Sequence, residues 1–288
     1  MKRIIVCDSG LGGLNIASRF FCGENEGIEH CELIYFNAYP SATCGFNKLP
    51  SLKAQEEVLR DVLESMKKFS PDLCLIACNT LSIVYERLLT WYTPVFPIRG
   101  IVDAAVDGMF QALENEPESS LLILGTKSTV ESQVYEKRLW ERNIAPERIR
   151  GLACPGLATL LESDPAALEV QEKIAQYASC AEQLFPGKPE KLFLGLCCTH
   201  FGFASDFWIK EFSSVFGNRV ALVNPNDLLG TGWKACAFSY HSKIEFFPGA
   251  RENMSACFKP FAPLIAEALN TAQADRELFN FNEVKYHG

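Results

Sequence analysis

The sequence predicts an α/β protein whose sheets are mainly parallel and flanked by helices. Two observations support this prediction. Several segments repeat one pattern, in which a short apolar run rich in Ile, Leu, Val or Phe meets a small polar cluster and then a helical periodicity. The two halves of the chain also repeat one spacing, because Asp8 precedes Cys78 by nearly the distance that separates Thr126 from Cys198.

Each strand-and-helix unit places its polar cluster where the strand ends. In open α/β sheets this carboxyl edge is where ligands bind, so we expect the chemistry there. The units are "RIIVCDSGLGGLNIASRF", "DLCLIACNTLSIVYERLL", "SLLILGTKSTVESQVYEKRLW" and "KLFLGLCCTHFGFASDFW".

Two helix starts can be interpreted locally. Ser128 followed by Glu131 is typical of a capping box, which predicts Ser128 as the helix cap. Gly12 and Gly13 follow the first strand closely and would let the backbone approach an anionic ligand. A glycine-rich turn serves helix packing equally well, and neither a GxGxxG nor a P-loop pattern is present.

The repeated spacing indicates that the two halves are versions of one design. If they face each other across a cleft, the two cysteines would approach a ligand from opposite sides. Prolines 94 and 97 punctuate the passage between the halves, and "NRVALVNPND" reads as a further buried strand near the return. We therefore place one domain at residues 1–96 plus 215–288 and the other at residues 97–214. Residues after about 268 form a C-terminal extension of the first domain.

Composition excludes several classes of protein. The chain has 288 residues, of which 48% are hydrophobic and 22% charged, as in an ordinary globular enzyme. Its net charge of −8 and the lack of a dense basic run argue against a nucleic-acid partner. No apolar stretch approaches the ~20 residues of a membrane helix, and the first apolar run is too short for a signal peptide. We expect a cytoplasmic protein that does not bind membranes.

The cysteines point to reduced thiols. Twelve are scattered along the chain without a C-x-x-C pair, and no export signal precedes them. A zinc site is a weak hypothesis on this pattern, and we expect no metal. For most of these cysteines the simplest interpretation is a small buried apolar residue.

Cys78 and Cys198 differ from the others because each ends a strand where a helix should begin, which favours the thiolate. Two thiols on opposite sides of an α-carbon can invert an amino acid, one removing a proton and the other returning one. Reaction distances would place the sulfurs roughly 6–7 Å apart. Polar donors directly follow each thiol: Asn79 and Thr80 after Cys78, Thr199 and His200 after Cys198.

A structural interpretation of each residue remains open. Cys78 taken alone would be assigned to the top of a buried strand, with Asn79 and Thr80 capping the next helix. His200 can be a satisfied structural histidine, and it can equally exchange a proton with Cys198, directly or through Glu162.

Joined in order, the blocks "CDSGLGGL", "ACNT", "GTKST", "LACP" and "CCTH" resemble the aspartate/glutamate racemase family, most closely its members that act on glutamate. The similarity spans most of the chain, and "KIEFFPGARENMSACFKPF" looks like the family's closing strand and helix. Five blocks in the right order at the right spacing are specific, although "ACNT" alone is short.

The resemblance implies two pseudo-symmetric α/β domains with the active site in the cleft between them. It also implies cofactor-independent interconversion of L- and D-glutamate, which supplies D-glutamate for peptidoglycan. Cys78 then deprotonates the D-enantiomer with support from Asp8, and Cys198 acts on the L-enantiomer. Thr199-His200 anchors the choice of Cys198 over Cys197. Family members often form dimers, so the resemblance also allows a homodimer. The residues implied to support Cys198 are Glu162 and His200, and those implied to hold the substrate are Ser9, Asn79, Thr80, Thr126, Thr129 and Thr199.

Two departures from the family bear on function, and the first of them bears on substrate choice. Thr43, Cys44 and Gly45 stand where the family usually has a proline-tyrosine-glycine turn at the substrate, and Gly202 replaces a usual proline. Aspartate or another small acidic amino acid is therefore an alternative substrate. A protein that binds an amino acid without turnover is a second alternative. Diaminopimelate epimerase also pairs two cysteines, but its motif pattern is absent.

Overall fold

The computed structural model describes residues 1–21, 29–39 and 46–241, and these form two compact units. The first unit comprises Met1–Gly100 and the chain from Leu229 onward, and the second comprises Ile101–Leu228. Each unit has its own sheet, whose strands all run parallel and connect through helices. The predicted α/β class with parallel sheets is confirmed.

The first unit has a five-stranded sheet in the order β4-β3-β1-β2-β9. The described helices α1 to α3 connect or follow its strands. The strands are β1 (Lys2–Asp8), β2 (Glu29–Asn37), β3 (Leu73–Ile76), β4 (Ile98–Gly100) and β9 (Trp233–His241), and the helices are α1 (Leu14–Arg19), α2 (Leu52–Met66) and α3 (Asn79–Leu88).

The second unit has a four-stranded sheet in the order β6-β5-β7-β8. Its elements are β5 (Ser119–Gly125), β6 (Ile149–Ala153), β7 (Lys191–Cys197), β8 (Val220–Val223), α4 (Ile101–Asn115), α5 (Lys127–Ser132), α6 (Val134–Trp140), α7 (Leu157–Ser163), α8 (Leu168–Leu184) and α9 (Ser205–Phe216).

The central strands are apolar on both faces, as a parallel sheet covered by helices requires. In β1 every residue from Ile4 to Asp8 is buried, and β3 is buried throughout. Burial of α2 and α3 against one face of the first sheet forms one core around Leu59 and Leu81. In the second unit α7, α8 and α9 cover the sheet around Trp208. These cores fix the strand ends from which the functional side chains extend.

The second unit ends later than residue 215, where the sequence placed the return to the first domain. Residues Val220–Val223 form β8, which pairs in parallel with β7 from Leu192 to Gly195 and so belongs to the second sheet. The chain returns to the first unit at Leu229. The entry into the second unit, at Ile101, lies close to the predicted residue 97.

The helix cap predicted after β5 was assigned to the wrong residue. Thr126, not Ser128, caps α5, and its hydroxyl accepts a hydrogen bond from the Thr129 N–H at 3.3 Å. Glu131 instead lies 3.6 Å from the Lys127 ammonium, one helical turn away. The strand ends at Gly125, so the helix begins two residues earlier than the capping-box pattern indicates.

Within the described residues, none of the helices has the length and apolarity needed to cross a bilayer. None of the cysteines in this part of the chain forms a disulfide. The predicted closing strand and helix at residues 243–261, and the extension after residue 268, lie outside the described residues.

Candidate active site

Each sheet changes the direction of its strand order at one point. In the first unit β2 lies on one side of β1 and β3 on the other, so the order reverses between β1 and β3. In the second unit the same reversal lies between β5 and β7. Ligands of open α/β sheets bind beyond the carboxyl ends of the strands at such a switch point. Cys78 follows β3 and Cys198 follows β7, so each unit places one thiol at its own switch point.

Cys78 is held between a strand end and a helix start. It is the N-cap of α3, and its sulfur accepts from the Leu81 N–H at 3.5 Å. The Ser9 hydroxyl lies 3.2 Å from the same sulfur. This contact follows from the strand register, because Cys7 pairs with Ile76 and the two chains continue side by side past the sheet edge. A hydroxyl and a helix N-terminus both favour a thiolate over a thiol.

Asp8 is almost wholly buried at the end of β1, where its Oδ1 accepts from the Gly10 N–H at 2.8 Å. Gly13 packs directly over this carboxylate. A Cβ at position 13 would lie 2.7 Å from Asp8 Cβ and 2.9 Å from Oδ2, closer than real Cβ contacts. The absent side chain at Gly13 therefore makes room for the Asp8 side chain.

Asn79 and Thr80 form the first turn of α3 immediately after Cys78, and both are buried. The structure thus brings Asp8, Ser9, Cys78, Asn79 and Thr80 to the edge between β1 and β3. Their roles toward a substrate stay predictions.

Cys198 lies beside an imidazole that is itself paired with a carboxylate. The distance from Cys198 Sγ to His200 Nδ1 is 3.8 Å, and the distance from His200 Nε2 to Glu162 Oε1 is 2.7 Å. Glu162 reaches this position from α7, 38 residues before the histidine. The chain after Cys198 turns through the 3-10 helix Phe201–Ala204 before α9 begins, so Cys198 does not cap an α-helix as predicted.

The environment of His200 favours its protonated form. Burial alone would lower the pKa of His200, but the Glu162 carboxylate and the adjacent Cys198 together raise that pKa well above its usual value. Cys198 therefore has a protonated imidazole as its neighbour, 3.8 Å from its sulfur.

The threonines of the second unit occupy the neighbouring strand end. Gly125 pairs with Cys197, so Thr126 and Cys198 follow paired residues. The Thr126 hydroxyl lies 2.9 Å from that of Thr129, which has no exposed surface. Thr199 is also buried, and its carbonyl oxygen accepts a hydrogen bond from Asn226.

The two adjacent cysteines have different surroundings. Cys197 is fully buried and hydrogen-bonded to Tyr135, and burial raises its thiol pKa far above the usual value. Cys154, within the "LACP" block, has a thiol pKa that is raised first by burial and then by the nearby Cys198. Of these three thiols, all within the described residues, Cys198 is the one that lies beside the His200 imidazole.

Three predicted substrate-binding residues, Thr43, Cys44 and Gly45, lie outside the described residues. In the part that the structure describes, no three His, Cys, Asp or Glu side chains are grouped as metal ligands. Sequence reasoning missed Asn226, whose amide contacts a backbone carbonyl 27 residues earlier. A contact to a backbone carbonyl leaves no motif, so no local pattern indicated it.

Comparisons with solved structures define the class of fold. Glutamate racemase isoform RacE1 from Bacillus anthracis aligns over 95% of this chain and 95% of its own, with a TM-score of 0.66 and 21% identity. The glutamate racemase from Francisella tularensis, solved in complex with D-glutamate, covers 91% of this chain and 95% of its own, with a TM-score of 0.63 and 19% identity. The protein has the fold of amino-acid racemases.

Comparison of sequences finds relatives with higher identity than these two solved structures have. Glutamate racemase 3 from Caldanaerobacter subterraneus is 28% identical over 224 residues, which are 78% of this chain and 74% of that protein. No protein-family model matches the chain. The chain is a homologue of the glutamate racemases.

Proposed function

We propose that the protein is an isomerase that interconverts L- and D-glutamate without a cofactor, by proton transfer at the α-carbon between two cysteines. The observation that carries the proposal is the placement of one buried thiol, with polar neighbours, at the switch point of each sheet. Homology to glutamate racemases supports the reaction and the substrate.

Cys198 serves the L-enantiomer in this proposal. Its thiolate takes the α-proton, and the Cys78 thiol then donates a proton to the opposite face of the carbon, so the D-enantiomer leaves with Cys198 protonated and Cys78 ionised. The reverse reaction exchanges these roles, which is the two-base form of general acid–base catalysis. His200 lies 3.8 Å from Cys198 Sγ and is paired with Glu162 at 2.7 Å, so we assign both residues to the support of Cys198.

Cys78 serves the D-enantiomer. The helix start of α3 and the Ser9 hydroxyl stabilise its thiolate, and Asp8 holds the strand-end loop through the Gly10 N–H. The polar groups that we assign to the head group and side-chain carboxylate of the substrate are Ser9, Asn79, Thr80, Thr126, Thr129 and Thr199, together with Thr43, Cys44 and Gly45 of the turn outside the described residues.

The experiment is incubation of the reduced protein in D₂O with L-glutamate and, separately, L-aspartate. We expect deuterium at the α-carbon and D-glutamate as product. Cys78→Ser and Cys198→Ser should each abolish racemisation, because a serine hydroxyl is a far weaker base than a thiolate. Cys180→Ser, at an exposed position, is the matched control and should keep full activity.

Other outcomes would assign a different function. Turnover of aspartate alone would show that aspartate, not glutamate, is the substrate. The turn of Thr43, Cys44 and Gly45 would then be the first candidate for the cause of this specificity. Binding of L-glutamate without α-proton exchange would indicate a protein that binds the amino acid without turnover. The proposed supply of D-glutamate for peptidoglycan is tested by restoring growth of a bacterial strain that requires D-glutamate.

A further inference from the structure

The turn Cys198–Phe201 carries the thiol and the imidazole, and each of its four carbonyl oxygens is hydrogen-bonded. Three of these bonds are local to the segment. Phe201 N–H donates to Cys198 O and Phe203 N–H to His200 O, each at 3.0 Å, and the Trp208 indole donates to Phe201 O at 3.1 Å. The fourth bond comes from elsewhere in the chain.

That fourth bond joins Asn226 Nδ2 to Thr199 O at 2.9 Å. Asn226 has no exposed surface and lies in the 3-10 turn Pro225–Asp227 that follows β8. Its backbone N–H donates to Asn224 Oδ1 at 3.3 Å, which is the capping bond of this turn. The peptide group that Asn226 holds is the one that joins Thr199 to His200.

Gly202 makes room for this amide. A Cβ at position 202 would lie 3.3 Å from Asn226 Nδ2 and 3.1 Å from Asn224 Nδ2, tighter than most real contacts. Gly202 stands where the sequence departs from the family's usual proline. The glycine and the asparagine amides thus fit together at the back of the Cys198–Phe201 turn.

The geometry points to Asn226 as a positioning residue for the proposed acid–base pair of Cys198 and His200. It orients the Thr199–His200 peptide and so keeps the imidazole between Cys198 and Glu162. This inference rests on the proposed function. A small displacement of a catalytic group is costly, since an error of about 1 Å can lower a rate by about 100-fold.

A suitable experiment compares Asn226→Ala and Asn226→Asp with Asn224→Ala. Asn226→Asp keeps the shape of the side chain but not its N–H donor, so it still tests the inference if Asn226→Ala fails to fold. Asn224→Ala removes the cap of the same 3-10 turn and has no hydrogen bond to Thr199 O. Folding of each variant is checked by thermal unfolding before kinetics.

Both Asn226 variants should lower kcat/KM about 10- to 100-fold, whereas Asn224→Ala should stay within about 3-fold of the unaltered protein. The two enantiomers are equal in energy, so kcat/KM must fall equally in both directions. The isotope effect separates the thiols, because α-deuterated L-glutamate reports proton removal by Cys198 and α-deuterated D-glutamate reports removal by Cys78. We expect the isotope effect to rise for the L-enantiomer only.

An unaltered protein that does not racemise glutamate would overturn the proposed function and this inference with it. An active unaltered protein, with folded Asn226 variants that keep its rate or change both isotope effects alike, would overturn only the positioning role. A loss in Asn224→Ala as large as that in Asn226→Ala would also overturn it, since the effect would then belong to the turn as a whole.

Discussion

Glu162 Oε1 and His200 Nε2 lie 2.7 Å apart in the second unit, and the other ring nitrogen of the histidine faces Cys198 Sγ at 3.8 Å. A carboxylate, an imidazole and a thiol therefore contact one another in succession, although they come from two segments that are distant in the sequence. The pair is mostly buried, with side-chain exposures of 10% for the histidine and 17% for the glutamate. Because the pair is shielded from solvent, we expect it to contribute to the stability of the protein.

The first prediction concerns the pH dependence of stability. The pKa of His200 is raised in the folded protein, so the folded state holds this proton more tightly than the unfolded chain. The stabilisation is therefore fully present below the unfolded pKa of about 6.5 and is lost as pH rises through the higher folded pKa. Glu162→Gln removes the main cause of the shift and should cost on the order of 3 kcal/mol at the acid end of this window.

The measurement is the free energy of unfolding in urea between pH 6 and 9 for the unaltered protein and for Glu162→Gln. The difference between the two should shrink as pH rises. A difference that stays constant across this range would show that Glu162 does not hold a proton on His200.

The second prediction concerns the Ser9 hydroxyl, which lies 3.2 Å from Cys78 Sγ. Ser9→Ala should lower kcat/KM for racemisation by about 5- to 10-fold, the effect of losing a hydrogen bond of about 1 kcal/mol to the reacting thiolate. The isotope effect should rise for α-deuterated D-glutamate, whose proton Cys78 removes, and not for the L-enantiomer. Ser9→Thr, which keeps a hydroxyl, should recover much of the rate. A higher KM with unchanged isotope effects would assign Ser9 to substrate binding only.

The third prediction concerns the packing of Gly13 on Asp8. Gly13→Ala places a methyl group 2.7 Å from Asp8 Cβ and should destabilise the protein by about 1–3 kcal/mol, as overpacked sites do. Gly187→Ala is the matched control, because nothing lies within 4 Å of a Cβ there and its φ is not in the left-handed region. Urea unfolding should show a lower midpoint for the first variant and an unchanged or higher one for the second. Equal midpoints would mean that the turn above Asp8 shifts to accommodate the methyl group without loss of stability.

The fourth prediction tests which residue caps α5. Thr126→Ala removes the hydroxyl that accepts from the Thr129 N–H and should cost about 1 kcal/mol of stability. Ser128→Ala should cost clearly less, because Ser128 already lies inside the helix. Thermal unfolding of the two variants measures the difference. A larger loss for Ser128→Ala would restore the capping-box interpretation.

Much of the fold could be predicted from local pattern. An apolar run followed by a polar cluster and a helical periodicity marked β1, β3, β5 and β7 with their helices, because burial on both faces makes parallel strands continuously apolar. The nearly equal spacing of the two halves corresponds to the observed repetition, in which a central strand and its neighbour flank a switch point in each sheet.

The end of the second unit could not be predicted in the same way. "NRVALVNPND" was recognised as a strand, but its sheet depends on its partner, and that partner is β7 rather than a strand of the first unit. Strand pairing is a contact between distant segments, and an apolar strand is compatible with either sheet.

By itself, the sequence determined the residue types that the proposed chemistry needs, their order along the chain and their position at strand ends. It also determined the α/β class, since hydrophobic periodicity is a local property. The tertiary structure decided which groups meet: Ser9 against Cys78, Glu162 against His200, and Asn226 against Thr199 O. These contacts join segments from 27 to 69 residues apart, and they form only when packing of the helices on each sheet fixes the strand ends in space.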